Sequence, residues 1–147
     1  MSGASFRLLS INISTEKGVP KTPVARAVLR AGHGIEGDAH AGDWHRQVSL
    51  LADEDIATMR GRGVELPPGI FAENLTTSGI DLSRVPVGAR LRVGPALLEV
   101  TQIGKECHLG CAIRQAVGDC VMPRCGVFAR VIEGGEIDRE SRCRHGL

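Results

Sequence analysis

Glycine and proline interrupt this chain at short intervals. The 147 residues include 19 Gly and 7 Pro, spread along the whole length rather than gathered in one linker. Both residue types tend to end regular structure, because glycine adds backbone freedom and proline removes an amide donor. The spacing therefore disfavours long helices and predicts many short strands joined by tight turns.

Alternation of apolar and polar residues locates several of these strands. Segment 6–13 alternates, with Leu9, Ile11 and Ile13 on one face and the neighbouring residues on the other. The same criterion predicts a strand over 24–30, a strand over 126–132, and a hairpin whose two strands meet at Gly94-Pro95.

One helix is predicted, over 53–60, because three acidic residues at 53–55 suit a first helical turn and Gly61 suits its end. Six or more short strands with one or two short helices indicate a mainly β fold, a small β-barrel. The chain is long enough for one domain, 1–147, with a core over about 6–137. The charged tail 139–147, which contains Cys143, is expected to fray.

Composition excludes several classes of protein. The formal net charge is +1, whereas a general nucleic-acid binder normally presents a strongly basic face. No apolar run approaches the roughly 20 residues that cross a bilayer, and the first residues lack a signal-peptide pattern. Five cysteines without a secretion signal predict free thiols in the cytoplasm.

Four of the five cysteines fall in one stretch, 104–131, at Cys107, Cys111, Cys120 and Cys125. A thiol acts as a nucleophile or soft-metal ligand only as thiolate, and neighbouring cations lower its pKa. Lys105 and His108 flank Cys107, so this thiol is predicted to be the most reactive. A structural zinc site on the four cysteines is the alternative, although their spacing lacks the paired Cys-x₂-Cys knuckles.

Segment 31–45 has four glycines and no periodicity, which predicts a loop. It can be a solvated surface loop, or a loop whose amides cradle an anion of a substrate or cofactor. A metal site on His33, His40 and His45 with Asp38 and Asp43 is a third possibility, although the histidines lack the i,i+4 spacing that makes them converge on a helix.

Two polar residues, Glu73 and Asn74, interrupt the apolar segment 70–75. They are either a local cap or turn, or part of a binding site. Together with Lys105 and the 32–42 loop, Arg46 and Asn74 are predicted to approach one cleft, where several donors would meet an anion.

The ordered set of motifs resembles that of MOSC domains, which are named for the C-terminal domain of the molybdenum cofactor sulfurase. The resemblance covers about residues 6–137. It is carried by KGVPK at 17–21, GHGIEGDAHAG at 32–42, VSLL at 48–51, PGIFAENLTTSGIDL at 68–82, VGARLRVG at 87–94, LEVTQIGKECH at 98–108 and GVFARVIEGG at 126–135.

The resemblance implies a β-barrel like that of pyruvate kinase and a cysteine that carries sulfur or contacts the molybdenum of a molybdopterin cofactor. The family cysteine falls on Cys107 or Cys111, and Cys107 is preferred as the thiol that contacts molybdenum. The implied cofactor-binding residues are His40, Arg46, Glu73, Asn74, Lys105 and His108.

The resemblance leaves the activity open between a sulfurtransferase, a molybdenum-dependent reductase of N-hydroxylated substrates and a non-catalytic cofactor carrier. The implied partners are the cofactor itself and a cysteine desulfurase or a molybdoenzyme, with neither nucleic acid nor membrane. A desulfurase domain that binds pyridoxal phosphate is not recognised in this sequence, so no pyridoxal phosphate site is expected in it.

Overall fold

The computed structural model describes residues 4–57, 67–104 and 126–145. Strands dominate these ranges. They are β1 Ala4–Ile13, β2 Thr22–Val24, β3 Arg26–Arg30, β4 Gly34–Ile35, β5 Val48–Ala52, β6 Leu75–Ser78, β7 Arg90–Val93, β8 Ala96–Ile103, β9 Val127–Glu133, β10 Gly135–Asp138 and β11 Cys143–His145. Helix within the same ranges is limited to α1, Asp53–Ala57, and a 3₁₀ turn at Leu82–Arg84.

Seven of the described strands form a closed barrel. Its order is β11, β7, β8, β9, β5, β6 and β1, and β1 then pairs with β11 to close the ring. Closure leaves these strands without a free edge. The predicted mainly β barrel is therefore confirmed, and so is the hairpin, since β7 and β8 pair antiparallel across Gly94-Pro95.

The barrel interior is filled by branched and aromatic side chains from all seven strands. Alternate residues point to opposite faces of each strand, and β5 is buried on both faces. Core residues with essentially no exposure include Ile11, Val48, Leu50, Leu75, Leu91, Val93, Leu98, Val127 and Ala129.

The strand predicted over 24–30 is in fact two strands that belong to different sheets. β2 pairs with β1 at the barrel edge, whereas β3 pairs with β10 and β4 in a separate three-stranded sheet. A bend at Ala25 separates them. Alternation continues through the bend, so the pattern alone could not reveal the change of sheet.

The predicted inner face of β1 is wrong over its first half. Phe6 and Leu8 are buried, while Leu9 is only partly so. The pairing of β1 with β6 shifts register between Leu8 and Ser10. Because one extra residue moves all later side chains to the opposite face, Ile11 returns to the core beyond the shift.

The tail predicted to fray is partly ordered in the barrel wall. β11 pairs with β7 on one side and with β1 on the other, so it is the strand that closes the ring. Cys143 is 2% exposed and lies in the core. Burial raises the pKa of its thiol to about 11.

Helix α1 begins at Asp53, as predicted, and carries three acidic residues in its first turn. Its predicted continuation to Arg60 lies outside the described residues. In the described ranges, no helix has the length and apolar character needed to span a membrane.

Candidate functional site

The two residues that flank the cysteine stretch, one before it and one after it, meet at one point. The amide of Gly104, after β8, donates to the carbonyl of Gly126, before β9, at 2.6 Å. We call this point the cysteine-segment root. Residues 105–125 connect its two sides and lie outside the described residues, as do the predicted site residues Lys105, Cys107, His108 and Cys111.

Three polar side chains gather at the root. The amide oxygen of Gln102 accepts from Arg46 Nε at 3.1 Å and lies 2.8 Å from His45 Nε2. The amide nitrogen of Gln102 donates to the Gly104 carbonyl at 2.7 Å. This bond fixes the orientation of the amide, so His45 carries its proton on Nε2. Arg46 also stacks over Phe128, 5.2 Å from the ring centre.

A bulge in β8 brings Gln102 to this position. Val100 pairs with Ala129 and Gln102 pairs with Phe128, so Thr101 is an extra residue with no opposite partner. Bulges commonly redirect side chains near functional sites. The Thr101 hydroxyl lies within hydrogen-bonding distance of the carbonyls of His45 and Phe128, which ties the bulge to the loop that carries Arg46.

A groove of about 570 Å³ runs beside the root, between the glycine-rich loop and strands β8 and β9. Trp44 and His45 line one wall, and Glu99 and Arg130 line the other. Arg130 donates to the Glu99 carboxylate through two nitrogens, at 2.6 and 2.9 Å. The groove thus contains aromatic, cationic and anionic groups. Its volume lies in the range of small-molecule sites.

A buried ion pair attaches the glycine-rich loop to Lys21. Lys21 Nζ lies 2.8 Å from Asp38 Oδ1, and both side chains are fully buried. The ammonium also contacts Ser14 Oγ and His40 Nδ1, each at 3.0 Å. Burial alone would raise the pKa of the Asp38 carboxyl, but the Lys21 ammonium and the amides of His40 and Ser14 together hold that pKa below its usual value.

His40 is oriented by this cluster. Since the Lys21 ammonium can only donate, the contact makes His40 Nδ1 an acceptor, and the neutral ring carries its proton on Nε2. The ring stacks on Trp44 with centroids 6.3 Å apart, and the Trp44 indole donates to the His40 carbonyl. The side chain of His40 is 17% exposed, so the cluster presents a single oriented imidazole at the loop surface.

Most described amides of the loop bond within the protein. The residues whose amides donate to protein oxygens include Gly32, His33, Glu36, Asp38, Ala39, His40, Ala41, Gly42 and Trp44. Gly34 has a φ of +121° and leaves no room for a side chain, since an added Cβ would lie 2.8 Å from the Gln47 carbonyl. Because most of these backbone amides are already bonded within the protein, the donors that the loop can offer to an anion are mainly side chains.

Glu73 is fully buried at the turn before β6. Its carboxylate accepts from the amides of Gly69 and Phe71, at 3.0 and 3.2 Å, and from the Thr76 hydroxyl at 2.8 Å. Burial raises the pKa of this carboxyl, although the three donors oppose the shift. Ala72, beside it, has a φ of +63°, which costs an L-residue about 1 kcal/mol.

Asn74 is fully buried as well and joins two strands. Its side-chain oxygen accepts from the Ser49 amide at 2.9 Å, and its side-chain nitrogen donates to the Asn12 carbonyl at 3.1 Å. Its backbone also bonds Ser49 and Asn12. Both members of the Glu73–Asn74 pair are thus directed at protein groups, and neither is exposed to the groove.

The predicted site residues are accordingly divided in space. Arg46 lies at the root and His40 on the adjoining loop, whereas Glu73 and Asn74 lie inside the protein. Among the described residues, no three His, Cys, Asp or Glu side chains are grouped to hold a metal, so His33, His40, His45, Asp38 and Asp43 do not converge there. Whether Lys105 approaches Arg46 lies outside the described residues.

Sequence reasoning missed Gln102 and Lys21 as residues that organise the site, and it considered Asp38 only as a candidate metal ligand, whereas Asp38 pairs with Lys21. The role of Gln102 depends on a bulge that alternation does not show. Lys21 lies 17 positions from its partner, between Pro20 and Pro23, so nothing local indicates its burial. A polar residue at the end of an apolar strand, such as Gln102, was the one available sign.

Comparison with known proteins supports one family. A model of the MOSC domain matches residues 36–143. Among curated proteins, no sequence matches this chain significantly.

Solved structures share the fold. The YuaD protein of Bacillus subtilis superimposes with a TM-score of 0.81 at 18% identity, over 98% of this chain and 97% of that one. YiiM of Escherichia coli gives 0.71 at 19% identity, over 98% and 70%. YiiM of Geobacillus stearothermophilus gives 0.72 at 21% identity, over 97% and 75%. Because the family model spans well over half of the sequence, this chain belongs to the MOSC domain family.

Proposed function

We propose that this protein binds molybdenum cofactor in the groove beside the cysteine-segment root and uses Cys107 to carry sulfur or to contact the molybdenum. The MOSC family is associated with molybdenum cofactor sulfurase-like proteins. The observation that carries the proposal is the closure of Gly104 on Gly126 next to Arg46, His45 and Gln102.

Covalent connectivity limits how far Cys107 can lie from this groove. Cys107 follows Gly104 by three residues, and three residues span at most about 11 Å. Cys111, the alternative thiol, has a longer tether of seven residues, or about 25 Å at most. Of these two candidate thiols, Cys107 has the smaller maximum distance from the root.

The described residues at the root fit an anionic cofactor that ends in a phosphate. The guanidinium of Arg46 uses Nε for Gln102, and its other N–H groups are of the kind that pairs with phosphate oxygens. The imidazole of His45 lines the same wall. When bound, the cofactor would supply a molybdenum centre able to accept sulfur or to exchange electrons with a substrate.

Oriented side chains would let the protein hold this ligand at little entropic cost. Gln102 fixes Arg46 and His45, and the Lys21–Asp38 pair fixes His40 on the adjoining loop. Donors that are already oriented lose little freedom when an anion binds. The His40 ring would thereby offer a third donor next to the groove.

Metal and pterin analysis of protein purified from a host that makes the cofactor tests this proposal. We expect molybdenum and pterin in matching amounts, bound to the folded protein. Zinc near one equivalent without pterin would contradict the proposal and support the structural site on Cys107, Cys111, Cys120 and Cys125. Molybdenum and pterin that exchange freely, without turnover, would identify a carrier instead of an enzyme.

A further inference from the structure

A second groove lies at the opposite end of the barrel from the cysteine-segment root. It has a volume of about 710 Å³ and is lined by Arg92, Arg142 and Arg144 beside Phe6 and Gly94. Gly94 and Gly104 flank the two ends of β8, whose eight residues span roughly 25 Å. The arginine groove is therefore separate from the site proposed above and would not share a small ligand with it.

Two of these arginines face each other across adjacent strands. Arg144 of β11 is the direct antiparallel partner of Arg92 of β7. Directly opposed side chains have Cβ atoms about 5 Å apart, and like charges at this spacing destabilise the pair. Arg142, two residues before Arg144, lines the same groove, so the third positive charge adds to the repulsion.

Local acidic groups balance only part of this charge. Arg92 contacts Glu133 at 3.0 Å. Within the described part of the chain, neither Arg142 nor Arg144 has an ion pair with an acidic side chain. Three guanidinium groups and one carboxylate leave two positive charges in the groove, which corresponds to a ligand with at least two negative charges.

We propose that the arginine groove binds a small ligand that carries a diphosphate group. Guanidinium groups pair with phosphate oxygens in a planar, two-point geometry that suits such a group. The volume lies in the range of small-molecule sites. Nucleic acid is a poorer match, because Phe6, the aromatic residue that lines this groove, is buried and cannot stack on a base, and the net charge is only +1.

Calorimetric titration with inorganic pyrophosphate at low ionic strength tests the proposal. The variants are Arg144→Gln and Arg142→Gln, and the matched control is Arg26→Gln, an exposed arginine on β3 in the other sheet. We expect one pyrophosphate per chain, an affinity loss of about tenfold or more in each groove variant, and a change within about twofold in the control.

A second measurement uses the ligand-free protein. At low salt, Arg144→Gln should unfold at a higher temperature than the wild type, because the repulsion with Arg92 is removed, while Arg26→Gln should not. The proposal is overturned if pyrophosphate acts no differently from chloride of equal ionic strength, or if Arg26→Gln weakens binding as much as Arg144→Gln. A single-stranded oligonucleotide that displaces pyrophosphate at lower concentration would overturn it in favour of a nucleic-acid surface.

Discussion

Polar side chains are used differently at the cysteine-segment root and at the Glu73–Asn74 turn. At the root, Arg46 and Gln102 are half-buried and contact each other, and their chain neighbours His45 and Thr101 line a groove. At the turn, Glu73 and Asn74 are fully buried and bond backbone groups of three chain segments. The first arrangement leaves donors available to a ligand, and the second uses them to hold the barrel together.

Half-exposed polar residues that can bind a ligand and buried polar residues that stabilise the fold cannot be distinguished from a family sequence pattern. Both kinds are polar and both interrupt apolar sequence. A buried polar group that loses its hydrogen-bond partner lowers the stability of the folded protein. A half-exposed donor can instead exchange a bound water for a ligand at little cost in free energy. Variants in the two regions should therefore change different measured quantities, stability in one and cofactor retention in the other.

The largest effect is expected for Asn74→Ala. It leaves the Ser49 amide and the Asn12 carbonyl without their side-chain partner inside the protein. The free energy of unfolding, measured by urea denaturation, should fall by about 2–4 kcal/mol. Cofactor bound per folded molecule should not change.

Thr77→Val is the control on the same strand. Thr77 is equally buried, and its hydroxyl has no hydrogen-bond partner among the described residues. Its replacement should leave stability unchanged or raise it by about 1 kcal/mol. If Thr77→Val destabilised as much as Asn74→Ala, burial rather than the Asn74 bonds would explain the first result.

Arg46→Gln should show the converse behaviour. Arg46 is only half-buried, so the loss of its contacts with Gln102 and Phe128 should lower stability by no more than about 1 kcal/mol. Cofactor retention, measured as pterin that remains after dialysis, should weaken about tenfold, because a phosphate partner is lost. Arg84→Gln, an exposed arginine paired with Asp81, should leave retention unchanged.

Glu73 should make the stability of the protein depend on pH in a defined direction. Burial raises the pKa of this carboxyl above its ordinary value of 4.5. Such a group contributes stability that is fully present below that ordinary value and is lost as the pH rises through the folded pKa. Relative to Glu73→Gln, the wild type should therefore lose stability as the pH rises above 4.5.

Asp38→Asn should show the opposite dependence of stability on pH. The pKa of Asp38 is held below 3.8, so its contribution is present above that value and is lost as the pH falls through the folded pKa. Urea denaturation of both variants across the pH range compares the two slopes. Slopes of the same sign would show that Glu73 is not a carboxyl destabilised by burial.

The smallest effect is expected at Cys143. At pH 8 a thiol with a pKa of about 11 is ionised in about one part per thousand, and Cys143 is also only 2% exposed. Alkylation of the native protein, followed by peptide mass spectrometry, should leave Cys143 unmodified until the protein unfolds. Rapid native alkylation would show that β11 detaches from the barrel.

The sequence was sufficient for those parts of the fold that depend on alternation and turn residues. The hairpin at Gly94-Pro95 and strand β9 follow from local pattern. The two-sheet path of 22–30 and the reversed face of β1 do not, because each depends on a bend or bulge that leaves alternation intact. The pairing of β11 depends on distant strands, so its charged composition suggested fraying instead.

The site was predictable to a smaller extent. The glycine-rich composition indicated the loop that carries His40, whereas cofactor binding by Arg46 and His40 stays a prediction. They could not show that Glu73 and Asn74 face inward, since that follows from bonds to Gly69, Ser49 and Asn12 far along the chain. The role of Gln102 depends on the bulge at Thr101 and on the meeting of Gly104 with Gly126.

The most direct test of the central claim is the molybdenum, pterin and sulfane-sulfur content of Cys107→Ser protein from a host that makes the cofactor. We predict that Cys107→Ser loses cofactor or sulfur loading while its unfolding midpoint stays within a few degrees of the wild type. Folded Cys143→Ser should keep its loading, although the buried hydroxyl lowers its stability. Normal loading in Cys107→Ser with loss in Cys111→Ser would move the role to Cys111. Normal loading in both variants would contradict the thiol mechanism.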